Sequence, residues 1–437
     1  MVPVVRPAEV VASHYSRKAR SRLLLIAPPN SYRTVAYLES ARQQGVDVLV
    51  ASEGKHSLVG DIAAGLHVDL SAPAALDILL EAARDRPFSG VVATDDTTVE
   101  LGSRIAQALA LPHNEPQAAR NSRYKDLSRQ ALAAAGVPVP EFRVVNLRGD
   151  VAAQCASISY PCVVKPLSLS ASRGVIRADN PDELLSACAR VEAIVATEVT
   201  SDAWLRTHVL VEGYICGPEV ALEGLLQQGE LEVLAIFDKP DPLLGPYFEE
   251  TYYVTPSRHN ADLQQQIVAS VEAACAGLGL REGPVHAEVR LAEGGCVIIE
   301  VASRTIGGEC ARLLRFGTGY SLEALVIAHA VGQPLTIRPP AGAAGVLMIP
   351  IQEAGILRRI EGITAARAVP FIEDILISIR EGYELVPLPE GSSYLGFMFA
   401  SAATPEQVET ALRTAHDHLT VVVGPLLKIE DRRPHQA

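Results

Sequence analysis

In VIIEVASRTIGGE, residues 297–309, four of the first five residues are β-branched Val or Ile, which is the composition of a buried strand. Glu300 interrupts that run, Arg304 follows four residues later, and Gly307–Gly308 come next. Burying an unpaired carboxylate is costly, so the acid needs a reason. Just upstream, HAEVRL (286–291) alternates, with His286, Glu288 and Arg290 on one face and Ala287, Val289 and Leu291 on the other. EGG at 293–295 supplies a tight turn, so the two runs form an antiparallel hairpin. A three-residue loop centred on Gly294 sets Glu288 opposite Glu300, with Cβ atoms ~5 Å apart, where like charges destabilise. A two-residue turn shifts the register by one and separates them. Two facing carboxylates suit a hard divalent cation such as Mg²⁺, which takes oxygen ligands and completes its shell with substrate phosphates. A solvent-facing hairpin with harmless acids is the competing account. Arg304 and the glycine pair favour the metal, because an arginine can hold an anion beside it and glycines allow close backbone approach.

Lysine is scarce, at positions 18, 55, 125, 165, 239 and 428 only. PCVVKPLSLSASRGV (161–175) is a strand that delivers Lys165 at its end, followed by Ser168, Ser170, Ser172 and Gly174. Such a loop exposes N–H and O–H donors that can cradle phosphate, although a surface serine loop looks the same. Lys125 opens a helix at YKDLSRQAL, from which a cation can reach phosphates in an adjoining cleft. In LVEGYICGPEVALEG (210–224) two strands flank a linker whose backbone can meet an adenine edge, with Glu219 on the ribose hydroxyls. Surface acids between strands are common, so each of these segments is weak alone.

These residues require strands that end in a cleft. From Leu23 to about Leu111 short apolar strands alternate with helical patterns, which predicts a parallel sheet with crossover helices. The GxGxxG fingerprint of dinucleotide sites is absent. NSRYKDLSRQALAAAGVPVPEF (121–142) reads as a helix stopped by Gly136 and two prolines. An α+β region from about 143 to 334 contains every chemically suggestive stretch, and IRPPAGAAG (337–345) marks its boundary. The tail has strands near VLMIPI, ILISIR and LGFMFASA, and a helix capped by Thr404 with Glu406–Gln407. It carries no evident catalytic residue and is expected to complete packing.

With 48% hydrophobic and 20% charged residues the chain is an ordinary globular protein. Its formal net charge of −13 opposes a general nucleic-acid binder. Seven singly scattered cysteines indicate neither a zinc site nor a disulfide framework, so a reducing cytoplasm is the default. No apolar run approaches the ~20 residues of a membrane helix, and no signal peptide is evident. Residues 1–22 are expected to be a flexible arm.

Taken in order, Lys125–Asp126, VVKP with its small-residue loop, VEGYICGPE, HAEVRL and IIEVASRTIGG resemble the ATP-grasp superfamily of carboxylate–amine ligases over roughly residues 23–335. DKPDPLLGPYFEETYYVTP (238–256) is similar to the bacterial L-amino-acid ligases that join amino acids into dipeptides. The resemblance implies an α/β and α+β protein of ATP-grasp fold. A Rossmann-like domain (23–120) would precede the ATP-grasp domain (121–335), itself a lid part (about 143–210) and a large part (about 211–335). A C-terminal α+β extension (336–437) would follow.

Carried over by position, Lys125 and Lys165 would contact ATP phosphates under a lid running from Ser168 through Ser170 and Ser172 to Gly174. Glu212, Tyr214 and Ile215 would meet adenine, and Glu219 the ribose. Glu288 and Glu300 would hold magnesium, with manganese as a substitute. Arg304 would steady an acyl phosphate beside Gly307 and Gly308, with Arg304 and Lys165 the catalytic pair. Lys239, Glu249 and Glu250 would line the amino-acid pocket. The partners implied are small carboxylate and amine substrates, with no nucleic acid and no membrane, in a cytoplasmic homodimer. One position departs: the family's metal-binding asparagine two residues after the second acid is Ala302, with Ser303 or water as the substitute. The rivals are a biotin-carboxylase-like or purine-pathway relative, and a nucleotide-binding protein with little catalysis.

Overall fold

Arg22–Ile26 (β1) carries four fully buried aliphatic residues because strands pack on both of its sides. In the computed structural model, which describes residues 20–29, 31–53, 64–198, 200, 202–337 and 341–426, with backbone alone at 316 and 317, β1 lies inside a parallel sheet. Its neighbours are β2 (Asp47–Ser52), β3 (Ala64–His67) and β4 (Gly90–Ala93), in the order β3-β2-β1-β4. Helices Thr34–Gln44, Ala75–Asp85 and Val99–Ala108 accompany them, as the alternating sequence predicts. Ligand-binding loops of such sheets follow the carboxyl ends of strands, and here those loops carry Tyr32–Arg33 after β1 and Asp95–Asp96 after β4. Most of the expected arm, residues 1–19, lies outside the described residues, and residue 22 already belongs to β1.

The single helix predicted from 121 is two. Pro116–Arg123 ends at Tyr124, whose extended backbone (φ −99°, ψ 122°) lets Lys125–Ala134 start afresh with Lys125 at its first turn. Next come β5 (Phe142–Asn146), β6 (Cys162–Pro166), β7 (Ile176–Ala178) and β8 (His208–Gly213), an antiparallel sheet ordered β5-β8-β6-β7. Helix Pro181–Ala196 covers it through Leu184, Ala187, Cys188, Val191 and Val195.

The largest sheet has eight antiparallel strands. Five precede residue 303: β9 (Glu219–Gln227), β10 (Glu230–Lys239), β11 (Tyr252–Thr255), β12 (Gly283–Ala292) and β13 (Gly295–Ala302). Of the last six strands, β14 (Ala343–Ile349), β16 (Ile372–Ile377) and β18 (Gly396–Ala402) continue it, in the order β13-β12-β9-β10-β11-β14-β18-β16. The remaining three, β15 (Gly355–Glu361), β17 (Glu384–Leu385) and β19 (Thr420–Gly424), form a small separate sheet. The predicted boundary at 336–345 therefore interrupts no sheet, since β11 and β14 are hydrogen-bonded neighbours. The tail helix is Pro405–Asp417, and Thr404 accepts from the Gln407 N–H as its sequence predicts. Residues 427–437 lie outside the described residues.

On β12, Val285, Ala287 and Val289 are wholly buried against helix Ala261–Leu278, at ~1.5–3 kcal/mol per large aliphatic side chain. A one-residue slip would bury the carboxylate of Glu288 instead, so this packing fixes which face the acids take.

Candidate active site

The hairpin meets the expected pairing by an unexpected route. Its turn has two residues, Glu293–Gly294, because Ala292 pairs with Gly295 and Leu291 with Cys296. That register alone would separate the acids. Between Val289 and Glu288 the register shifts, leaving Ile299 as an extra residue, and Glu288 then pairs directly with Glu300. The bulge is tied down by Arg129, whose Nη2 donates to the Ile299 carbonyl at 2.7 Å.

Both acids line one cavity of about 850 Å³, bounded by the parallel sheet, the lid and the large sheet. Different cations neutralise them. Lys125 Nζ stands 3.3 Å from Glu300, with Arg304 4.0 Å away. Glu288 accepts from Lys239 Nζ at 2.9 Å, and His286 Nε2 lies 3.8 Å off. Burial would raise the Glu288 carboxyl, but Lys239 and His286 outweigh it and hold the group well below the usual carboxylate range. His286 is itself pushed up to about 9: burial opposes its charge, and Glu223 and Glu288 overcome that. Its Nδ1 lies 3.3 Å from Glu223 Oε2 but off hydrogen-bond geometry.

Lys239 was expected in the amino-acid pocket. It sits behind the cavity wall, with a side chain 3% exposed, bonded to Glu219 at 2.6 Å, to Glu288 and to Glu250. Glu219, Glu250 and Glu288 converge closely enough to hold a cation, and the ammonium of Lys239 is that cation. The other oxygen of Glu219, the ribose ligand expected from the sequence, accepts from Arg290 Nε at 2.7 Å. Within this cluster burial raises Glu250 to about 7, with Lys239 opposing and Glu288 adding to the rise. Glu249, also expected in the pocket, points away and accepts from the Ile351 N–H at 3.2 Å.

Glu212 is 2% exposed and clamped by Arg129 (2.8 and 3.3 Å) and Lys165. Burial works against its charge, yet Arg129 and then Lys165 bring it down to about 2. Its carboxylate thus fixes the position of Lys165 while lining the cavity. The slot beside it is apolar, built of Val163, Val175, Tyr214, Leu243 and Phe248, with Ile215 on the rim. Tyr214 gives its N–H to Pro161 O and its hydroxyl to Leu243 O.

Ser168, Ser170 and Ser172 line the cavity as expected, and Lys125 Nζ donates to Leu169 O at 2.9 Å. Ala171 and Ser172 both adopt φ +54°, a left-handed backbone that non-glycine residues resist, so the loop stores strain. Gly174 is turned away from the cavity and gives its N–H to Pro389 O at 2.9 Å.

At the far end Arg304 is buried, donating to Asp96 at 3.0 Å and to Thr305 O at 3.0 Å. Arg33 pairs with Asp95 at 2.7 Å and reaches the Ile306 carbonyl at 3.4 Å. Gly307 and Gly308 form the floor between them and the tail: a Cβ on Gly308, at φ +61°, would overlap Met348 Sδ. Met348, Leu376, Tyr394 and Phe397 complete the wall, so the tail expected only to pack also shapes the site. Tyr32, Arg33, Asp95 and Asp96 were not anticipated either. Their position after parallel strands was the available signal. Ala302 is buried and offers nothing to a metal, and the Ser303 hydroxyl shares a hydrogen bond with Ser122 Oγ at 2.9 Å. Cys310 lines the cavity with a thiol that burial pushes far up, so it is no nucleophile.

Three family models match the chain: the ATP-grasp N-terminal domain over residues 38–113, the ATP-grasp domain over 158–312, and the L-amino acid ligase C-terminal domain 2 over 347–424. The crystal structure of an L-amino acid ligase from Bacillus licheniformis is similar at a TM-score of 0.80 and 28% identity, covering 93% of this chain and 99% of that one. An alanine–anticapsin ligase of Bacillus subtilis is 30% identical over 227 residues, 47% of this chain and 46% of the ligase. The chain thus spans just under half of that ligase's length. An uncharacterised protein of Sinorhizobium fredii is 26% identical over 350 residues, 80% of this chain and 71% of that one.

Proposed function

Because the chain belongs to the ATP-grasp superfamily of carboxylate–amine ligases, we infer that it joins an amino acid to an amine or a second amino acid, with ATP converted to ADP and phosphate. The observation that carries this is one cavity with two unlike ends. Lys125, Lys165 and the serine loop line it together with the apolar slot, Arg304 and the glycine floor line it together with the tail residues, and the paired acids Glu288 and Glu300 line it as well.

A substrate carboxylate oxygen attacks the γ-phosphorus of ATP, the bond to the β-phosphate oxygen breaks, and an acyl phosphate forms. An amine nitrogen then attacks the acyl carbon, loses a proton and expels phosphate. No side chain enters a covalent bond. Lys125 and Lys165 offset charge on the transferring phosphoryl group, and Arg304 steadies the acyl phosphate. Closure of the 168–174 loop excludes the water that would hydrolyse it. The oxygen donors of Glu288 and Glu300 fit magnesium, which when bound would neutralise phosphate charge.

The test is phosphate release from Mg·ATP in an amino-acid matrix, with mass spectrometry of the products. Release that depends on both an acid and an amine, with a matching amide mass, is expected. The second reading, nucleotide binding with little catalysis, rests on Ala302. ATP binding with no acid- and amine-dependent release would favour it.

A further inference from the structure

The loop between β17 and β18 touches both ends of the cavity. At one end it grips the lid: Pro389 O accepts from Gly174 N–H at 2.9 Å, and Glu390 O from Arg173 Nε at 2.8 Å. The Glu390 carboxylate takes Arg190 of the lid helix in a forked pair, Nε at 2.6 Å and Nη2 at 2.9 Å. Two to four residues later Ser392, Ser393 and Tyr394 line the same cavity as Arg304 and the glycine floor. The loop between these contacts is stiff. Gly391 gives its N–H to Pro387 O, a Cβ there would overlap the Val386 carbonyl, and Leu395 is buried with its N–H on Ile349 O at 2.9 Å. Tyr394 and Glu390 are thus joined by a short, braced segment.

We propose that Glu390 is a positioning residue: it is the catch that holds the 168–174 lid shut, and its loop ties closure to occupancy of the acceptor compartment. The catch belongs to the tail, outside the ATP-grasp core, so the element that shapes the acceptor wall also decides when ATP is sealed. Coupling of this kind is reciprocal, so a bound nucleotide also tightens the acceptor compartment. Its consequence is economy, since the acyl phosphate forms under a closed lid only when an amine is present to consume it. That last step rests on the ligase activity inferred above.

The lid contains its own reporter, because trypsin cuts after Arg173 and the N–H of the scissile bond is the one held by Pro389. In the full-length protein a non-hydrolysable ATP analogue with Mg²⁺ is expected to slow this cut. Glu390→Ala should be cut about fivefold faster than wild type under the same conditions, the scale of one well-formed exposed ion pair. Arg190→Ala should behave alike, and Glu390→Arg combined with Arg190→Glu should recover protection. In turnover, Glu390→Ala should release several phosphates per amide where wild type releases about one, with an unchanged melting temperature. Equal cleavage of wild type and both single variants overturns the catch. Faster cleavage with an unaltered phosphate-to-amide ratio overturns the coupling. Should the wild type make no amide at all, the ligase reading falls while the cleavage comparison still decides the catch.

Discussion

The two ends of the cavity are built by different rules. At the end lined by Lys165 the strand cations pair with carboxylates across the sheets: Lys165 with Glu212 and Arg290 and Lys239 with Glu219 on neighbouring strands, and Lys239 again with Glu288 two strands away. The groups are pre-set by sheet register and need no ligand to hold them. At the acceptor end four separate segments converge, Tyr32–Arg33, Asp95–Asp96, Arg304–Gly308 and the tail residues Met348, Tyr394 and Phe397. An end fixed by register can be rigid and general, whereas one assembled from loops can change its substrate without disturbing phosphate chemistry.

The sharpest test of that contrast is the joint change Glu288→Gln and Glu300→Gln. ATP consumption should fall at least ~100-fold, the scale of removing preorganised electrostatic stabilisation, whichever substrates are supplied. Retained turnover would mean that the acids are not where the ends meet. Next comes Glu212→Gln, which strands Arg129 and Lys165 in the interior and should cost about 3 kcal/mol in denaturant titration. The sign with pH follows from a group lowered from 4.5 to about 2: its stabilisation is present above pH 4.5 and disappears as pH falls toward 2, a loss the variant should not show.

A smaller effect separates the ends directly. Tyr394→Ala should raise the KM of the amine about 10-fold, the cost of lost apolar contact, while the KM of ATP stays put. Matching rises in both would erase the distinction. The smallest concerns Glu250, raised from 4.5 to about 7. Its contribution is complete below pH 4.5 and fades as pH climbs through 7, so wild-type thermal stability should decline over that interval and Glu250→Gln should flatten the curve.

The same contrast explains what could be read from the residues alone. Alternation along HAEVRL revealed the face of β12, since a strand's period is local. The lysines and serines before the lid were equally local. Glu219 and Glu212 line the cavity, but their ion-pair partners Lys239 and Arg129 lie on separate elements, where no local pattern pairs them. Lys239 was sent to the wrong side of the wall for the same reason. Arg33, Asp95 and Asp96 follow strands of a different sheet, and nothing in their neighbourhood hints at Arg304.

The extra residue at Ile299 divides responsibility along the hairpin. The tip at Glu293–Gly294 does not by itself decide which side chains meet, so lengthening it to carry a tag or a reporter peptide is compatible with a working centre. Excising Ile299 would leave Glu300 opposite Glu288 in an unbroken ladder, but it would remove the bulge and the carbonyl that Arg129 grips there. Redesign of this hairpin therefore has a free end and a locked middle.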